Sequence, residues 1–162
     1  MFDKFGEFDS VEEINKAAAG FKTEGDIKSL YELAEENGID KEDVQDYIDG
    51  DGEFATAALA ASGRIDIEEK SLTGDTGKKM AMEVIFLMLR GMCAMPELQE
   101  AVIRKGKRAK EIYEEMKAVT GKHATGDTAV CCGTDRQLRK LIQTYYLDGK
   151  EALKKEIEAM YK

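Results

Sequence analysis

Proline is almost missing from this sequence of 162 residues: Pro96 stands alone. β-Branched runs are few, while Ala, Glu, Lys, Leu and Met, the good helix formers, are abundant. That composition favours an all-α fold over a sheet. Cysteine is scarce too. Cys93, Cys131 and Cys132 make an odd number, which argues against a secreted disulfide framework. The opening MFDKFGEFDS has charges where a signal peptide needs an apolar run. The most apolar window, Met80 to Met92, is too short to span a bilayer and contains Glu83 and Arg90. The expected setting is cytoplasmic, with no membrane partner. There is no P-loop and no dinucleotide fingerprint, and isolated glycines read as helix stops.

What the sequence does have is negative charge, unevenly placed. The net charge is -9. Residues 1–55 hold 17 acids and 5 bases, whereas residues 56–162 hold 16 acids and 19 bases. Between Glu35 and Phe54 there are nine carboxylates and one base, Lys41. Such asymmetry suggests that this part meets something basic, the bland alternative being a solvated face kept for solubility.

Apolar residues make up 43% of the chain, enough for a core. Helix signals recur along it. Ser10 and Glu13 have capping-box spacing before a face of Val11, Ile14 and Ala18, with Gly20 as the expected stop. Asp26 caps IKSLYELAEEN, and Gly38 ends it. Asp40 caps the next helix, whose core face is Val44, Tyr47 and Ile48. A short Ala-rich helix is expected from about Phe54 to Ala61. The alternation of Ile65 and Ile67 in RIDIEEKSL reads as a short strand or extended connector. GDTG opens a helix that is apolar nearly all round from Met80 to Arg90. It is expected to be the central buried helix, with its methionines filling the core. Pro96 starts a long helix with a kink at Gly106, GKHATGDTAVCCG is a loop, Thr134 and Gln137 form another capping box, and Asp148 begins the final helix. The expectation is one all-α domain over 1–162, of about seven or eight helices. It has an acidic N-terminal helical hairpin and lobe at about 1–55 and core and C-terminal helices at about 74–162.

Helix energetics explain part of the acidic stretch. Asp40, Glu42 and Asp43 sit at a helix start, where the macrodipole favours them by less than about 1 kcal/mol each. Asp46, Asp49, Asp51 and Glu53 fall at or beyond the helix end, where negative charge is disfavoured. An EF-hand does not account for them. Counting from Asp49, position six is Phe54 and position twelve is Ala60; counting from Asp40, position five is Val44. Zinc at His123, Cys131 and Cys132 is disfavoured by spacing, because vicinal thiolates hardly share one ion without strain, and a zinc-dependent or thiol enzyme stays open only through these three residues. A Cys131 or Cys132 nucleophile with His123 as base lacks a recognisable elbow, oxyanion loop or orienting acid. The basic run RKGKRAK, Arg104 to Lys110, has no interleaved aromatics, so it reads as ion pairing with Glu111, Glu114, Glu115 or the acidic lobe rather than as a phosphate grip. No cofactor, no metal and no enzymatic activity are expected.

FDKFGEFDSVEEINKAA and LAEENGIDKEDVQDYIDG resemble the anti-CRISPR Cas9-inhibitor family related to PcfK-like proteins of mobile elements. TDRQLRKLIQTYYLDG, with Tyr145 and Tyr146 paired, looks like the end of PcfK-like chains. The likeness covers about the first 50 residues and, more loosely, the last 30. It implies a non-enzymatic inhibitor that binds a Cas9-type nuclease, alone or with its guide RNA, and does not itself bind nucleic acid. Such nucleases hold nucleic acid in positively charged channels. An acidic protein acting as a nucleic-acid mimic would occupy one of them, here through Glu42, Asp43, Asp46, Asp49, Asp51 and Glu53. PcfK-like proteins are also associated with conjugative plasmids, which leaves an accessory role in conjugation, through protein–protein interaction, as the alternative.

Overall fold

The computed structural model describes residues 2–124 and 134–161. Among them the fold is all-helical, with nine helices and no strand. These are α1 (Val11–Glu24), α2 (Ile27–Asn37), α3 (Lys41–Asp49), α4 (Ala57–Lys70), α5 (Thr76–Met92), α6 (Pro96–Ile103), α7 (Ala109–Lys122), α8 (Asp135–Asp148) and α9 (Lys150–Ala159). The chain divides into two units, Met1–Ser71 with Cys93–Gly106, and Leu72–Met92 with Lys107–Lys162.

In the first unit α2 packs against α1, α3 and α4, and α4 packs mainly against α6. The caps follow the residue types. Ser10, Asp26 and Thr56 each accept a hydrogen bond from the N–H three residues on, and Gly25, Gly38 and Gly50 end their helices in the left-handed conformation. Glu13 reaches one residue further back than a capping box requires, to the Asp9 N–H. Gly20 does not end α1. A mid-helix glycine costs only about 1 kcal/mol, and the turn beyond it is anchored by Phe21, whose ring packs on Phe5 at 5.3 Å.

Gly38 and Gly63 set the distance between α2 and α4. A methyl group on Gly63 would lie 2.2 Å from the Asn37 carbonyl oxygen and 2.7 Å from that of Gly38. The two backbones therefore touch directly, and Leu30, Leu33, Ala60 and Ile65 are sealed around the contact. RIDIEEKSL, expected as a strand or connector, instead supplies the second half of α4 through Lys70, with Ser71 as its C-cap. The decisive pattern is Arg64 with Glu68, one helical turn apart, rather than the two isoleucines. Arg64 is only 5% exposed. Its Nε donates to Glu68 at 3.2 Å and its terminal nitrogen to Glu7 at 3.4 Å, while Phe2 lies over the guanidinium at 4.3 Å. Glu7 also accepts the Gly106 N–H at 2.6 Å, and Asp9 accepts that of Lys105 at 3.2 Å. The segment before α1 is thus bound to the rest of its unit by carboxylates.

In the second unit α5 packs on α7 and α8, and α9 packs on α7 and α8. Met82, Ile85, Phe86 and Leu89 are buried from α5, and Tyr145 and Tyr146 from α8, their rings edge to face at 5.0 Å. The expectation of a helix buried all round needs correction. Met80, Val84 and Leu87 of α5 are exposed, so the helix is two-sided despite its apolar sequence. The long helix after Pro96 is also two helices. Arg104 is extended and Gly106 has φ 78°, so the basic run is a break rather than a kink. Gly149 separates α8 from α9, and Asp148 closes the former rather than opening the latter. The Thr134–Gln137 capping box is present. Most of the expected loop GKHATGDTAVCCG lies outside the described residues.

Candidate functional site

The acidic stretch folds as α3, which is fastened along one side only. Val44 is fully buried. Tyr47 sets its ring edge-on to Phe54 at 5.5 Å, and Lys22 donates to the Tyr47 carbonyl at 2.5 Å with its ammonium 4.4 Å from that ring. Backbone groups close the C-terminus: the N–H groups of Gly50 and Asp51 both reach the Asp46 carbonyl, at 3.1 and 2.9 Å. No carboxylate is needed there as a cap. At the other end Asp40 has the extended backbone of an N-cap, but its side chain makes no capping bond.

The six carboxylates expected to bind a partner divide by exposure. Glu42, Asp46, Asp49, Asp51 and Glu53 are exposed, and Asp43 is half-buried. Glu42, Asp46 and Asp49 stand at i, i+4 and i+7, one row along α3 with neighbours about 5–6 Å apart. Among the described residues none of the six forms an ion pair. Asp49 accepts one neutral hydrogen bond from Gln45 at 3.0 Å, and Gln45 in turn accepts from Tyr31 at 3.2 Å.

Other carboxylates of the same unit are engaged. Glu32 takes both Lys4 and Lys28, and the hydrogen bond from Lys4 is the main reason its pKa is lowered. Glu36 accepts backbone N–H groups of Lys4 and Phe5, and Glu7 and Glu68 hold Arg64. The acids that serve the fold have donors, and among the described residues the row on α3 has none that carries charge.

Beside this row, α2, α4 and the start of α3 enclose an open cleft of about 750 Å³ with Gly38 and Gly63 in its floor. Its walls carry Glu32, Glu35, Asp40 and Asp66, but also Lys28, Lys41 and Lys70. The cleft is therefore close to balanced in charge, and the anionic feature of the unit is the α3 row.

No family model, curated protein or solved structure matches the chain.

The remaining candidates are placed as follows. His123 stacks on Tyr161 at 4.2 Å with the rings nearly parallel. Cys131 and Cys132 lie outside the described residues. Cys93 is half-buried, and burial raises its thiol pKa, the opposite of what a nucleophile needs. In the basic run, Lys107 donates to the Tyr145 carbonyl at 2.8 Å, and the Arg108 N–H donates to the Tyr145 hydroxyl at 3.0 Å. Burial lowers the pKa of the Arg108 guanidinium. The glutamates expected to pair with this run form ion pairs elsewhere, Glu114 with Lys78 at 3.1 Å and Glu115 with Lys150 at 3.1 Å. The run's central residues thus pack on Tyr145, and Arg104, Lys105 and Lys110 are exposed. Sequence reasoning missed the buried Arg64 cluster, although the i, i+4 spacing of Arg64 and Glu68 was a usable signal. It also missed the cleft, for which Gly63 gave no signal before α2 was placed against it.

Proposed function

We propose that the protein is a non-enzymatic inhibitor that binds a Cas9-type nuclease through the carboxylate row of α3 and the acids that follow it. The observation that carries this reading is the contrast within one unit: fold-serving acids are paired, while Glu42, Asp46, Asp49, Asp51 and Glu53 are exposed and, among the described residues, form no ion pair. Guide and target strands run through positively charged channels in such nucleases. A rigid row of carboxylates on a helix presents fixed negative charge to such a channel without a nucleic-acid backbone. The segment likeness described above supplies the identity of the partner. Charge complementarity of this kind speeds encounter and makes binding sensitive to salt.

The test uses the variant Asp46→Asn, Asp49→Asn, Asp51→Asn, Glu53→Gln. Plasmid cleavage by the nuclease is measured with increasing protein, and binding is measured at low and high salt. The wild type is expected to suppress cleavage at near-stoichiometric amounts, and the variant to need at least about tenfold more protein, about 1.4 kcal/mol of lost binding. Undisturbed cleavage with wild-type protein in excess would overturn the function. Equal inhibition by both proteins at low salt would overturn the site.

A further inference from the structure

Three of the large apolar side chains that stay exposed lie on one helix. Met80 is 62% exposed, Val84 44% and Leu87 70%, all on α5. Their spacing is i, i+4 and i+7, and Gly91 continues the same stripe at i+11. At about 100° per residue these four positions fall within an arc of about 60°, over about 16 Å of helix. The opposite side of α5 is occupied by Met82, Ile85, Phe86 and Leu89 in the core of its unit.

We propose that this stripe is the contact for a second copy of the chain, with the two α5 helices antiparallel across a two-fold axis. The order of residues is self-complementary in that arrangement. An axis midway between Val84 and Leu87 sets each Val84 against Leu87 of the second copy, and each Met80 against Gly91 of the second copy. The largest flexible side chain then meets the position with the most room, since nothing lies within 4 Å of where a Gly91 side chain would begin. Met suits such a gap because its thioether chain adapts to irregular space.

Charge follows the same symmetry. Glu83 and Arg90 lie on one flank of the stripe, seven residues apart. Antiparallel packing brings equal flanks together, so Glu83 of each copy meets Arg90 of the other, giving two reciprocal pairs. Arg90 can take this acceptor in addition to its contacts within the chain, because a guanidinium has five donors. A C2 contact requires this reciprocity, whereas a stripe for an unrelated helix has no need of it. Three apolar side chains cover well under the roughly 800 Å² per partner of a standard stable interface. The association is therefore weak, with dimer forming in the range of tens to hundreds of micromolar, that is, about 10⁻⁵–10⁻⁴ M.

Sedimentation velocity on the full chain, from about 5 to about 500 µM, reads this directly. The weight-average mass is expected to climb from the monomer towards twice that value. Leu87→Glu is expected to weaken dimerisation at least about tenfold, from lost apolar burial. Gly91→Leu is expected to do the same by filling the space for Met80. Glu83→Arg should weaken the dimer, and Glu83→Arg combined with Arg90→Glu should restore it. Glu83, Leu87 and Gly91 are exposed and Arg90 is half-buried, and far-UV circular dichroism with thermal melting verifies that each variant folds. A chain that stays monomeric at the highest concentration overturns the proposal, including the case in which a different protein occupies the stripe. A dimer unaffected by Leu87→Glu overturns it as well. A dimer that Leu87→Glu abolishes but Gly91→Leu and the charge exchange leave unchanged overturns the antiparallel register.

Discussion

Removing the acids at the end of α3 should make the protein more stable. The perturbation is Asp46→Asn, Asp49→Asn, Asp51→Asn and Glu53→Gln, which takes the net charge from -9 to -5. Asp46 and Asp49 lie in the last turn of α3, beside the negative end of its dipole. Relieving that placement gains about 0.3–1 kcal/mol per residue at low ionic strength. Removing the like-charge pairs Glu42–Asp46 and Asp46–Asp49 adds about 0.2–0.5 kcal/mol each. Little is lost in exchange. Asn has nearly the helix propensity of Asp, and Asn at position 49 keeps an amide oxygen for the hydrogen bond from Gln45. Asp51 and Glu53 are exposed beyond the helix, where changes stay within about 0.5 kcal/mol. The expected gain is about 1–3 kcal/mol, or a rise in Tm of about 2–12 °C for a chain of this length. It should shrink sharply in 1 M salt, where the screening length is only about 3 Å. Thermal melts followed by circular dichroism at about 20 mM and 1 M NaCl check both the sign and the salt dependence. An unchanged Tm, or a loss of about 1 kcal/mol or more at low salt, would refute the reasoning, because the acids would then be holding the fold.

Two glycines of the first unit should respond in opposite directions. Gly63→Ala forces a methyl group to within 2.2 Å of the Asn37 carbonyl and must separate α2 from α4; urea unfolding should show a loss of about 2–4 kcal/mol. Gly20→Ala sits inside α1 with nothing within 4 Å and should gain about 0.5–1 kcal/mol in the same assay. Arg64→Met strands Glu7 and Glu68 without their shared cation and should cost about 3–5 kcal/mol. Adding Glu68→Leu to that variant should recover part of the loss.

The helix starts and stops were legible because caps are local. Ser10, Asp26 and Thr134 announce their helices through side-chain chemistry that needs no tertiary partner, and Gly38 stops one through its own φ. What was not legible depended on neighbours distant in sequence. Ile65 and Ile67 suggested alternation because the sequence does not reveal that Arg64 has Glu7 waiting 57 residues upstream. Gly63 is uninformative until α2 is placed against it. The run from Met80 to Met92 is apolar on nearly every side, so periodicity cannot tell which side meets the core. The α3 face was readable in part. Helix polarity alone marked Asp46 and Asp49 as misplaced, but only the structure separates them from Glu32 and Glu36, which look equally acidic and are fully employed.

That separation also bears on the bland account of the acidic stretch. Solubility depends on net charge and on the absence of large apolar patches, and it is indifferent to where along the chain the acids stand. Scattered acids would serve it without the repulsion along Glu42, Asp46 and Asp49 or the clash with the α3 dipole. Those penalties are small, about 0.2–1 kcal/mol each. They are also avoidable, since the fold constrains only the side of α3 bearing Val44 and Tyr47. A row that costs stability, caps nothing and meets no cation among the described residues is what a surface shaped by an external cationic partner would look like. The same chain shows the alternative use of carboxylates at Glu7 and Glu68, where one oxygen of each accepts from Arg64. Within one unit, then, Glu7, Glu32, Glu36 and Glu68 have donors inside the fold, whereas among the described residues the exposed row on α3 forms no ion pair.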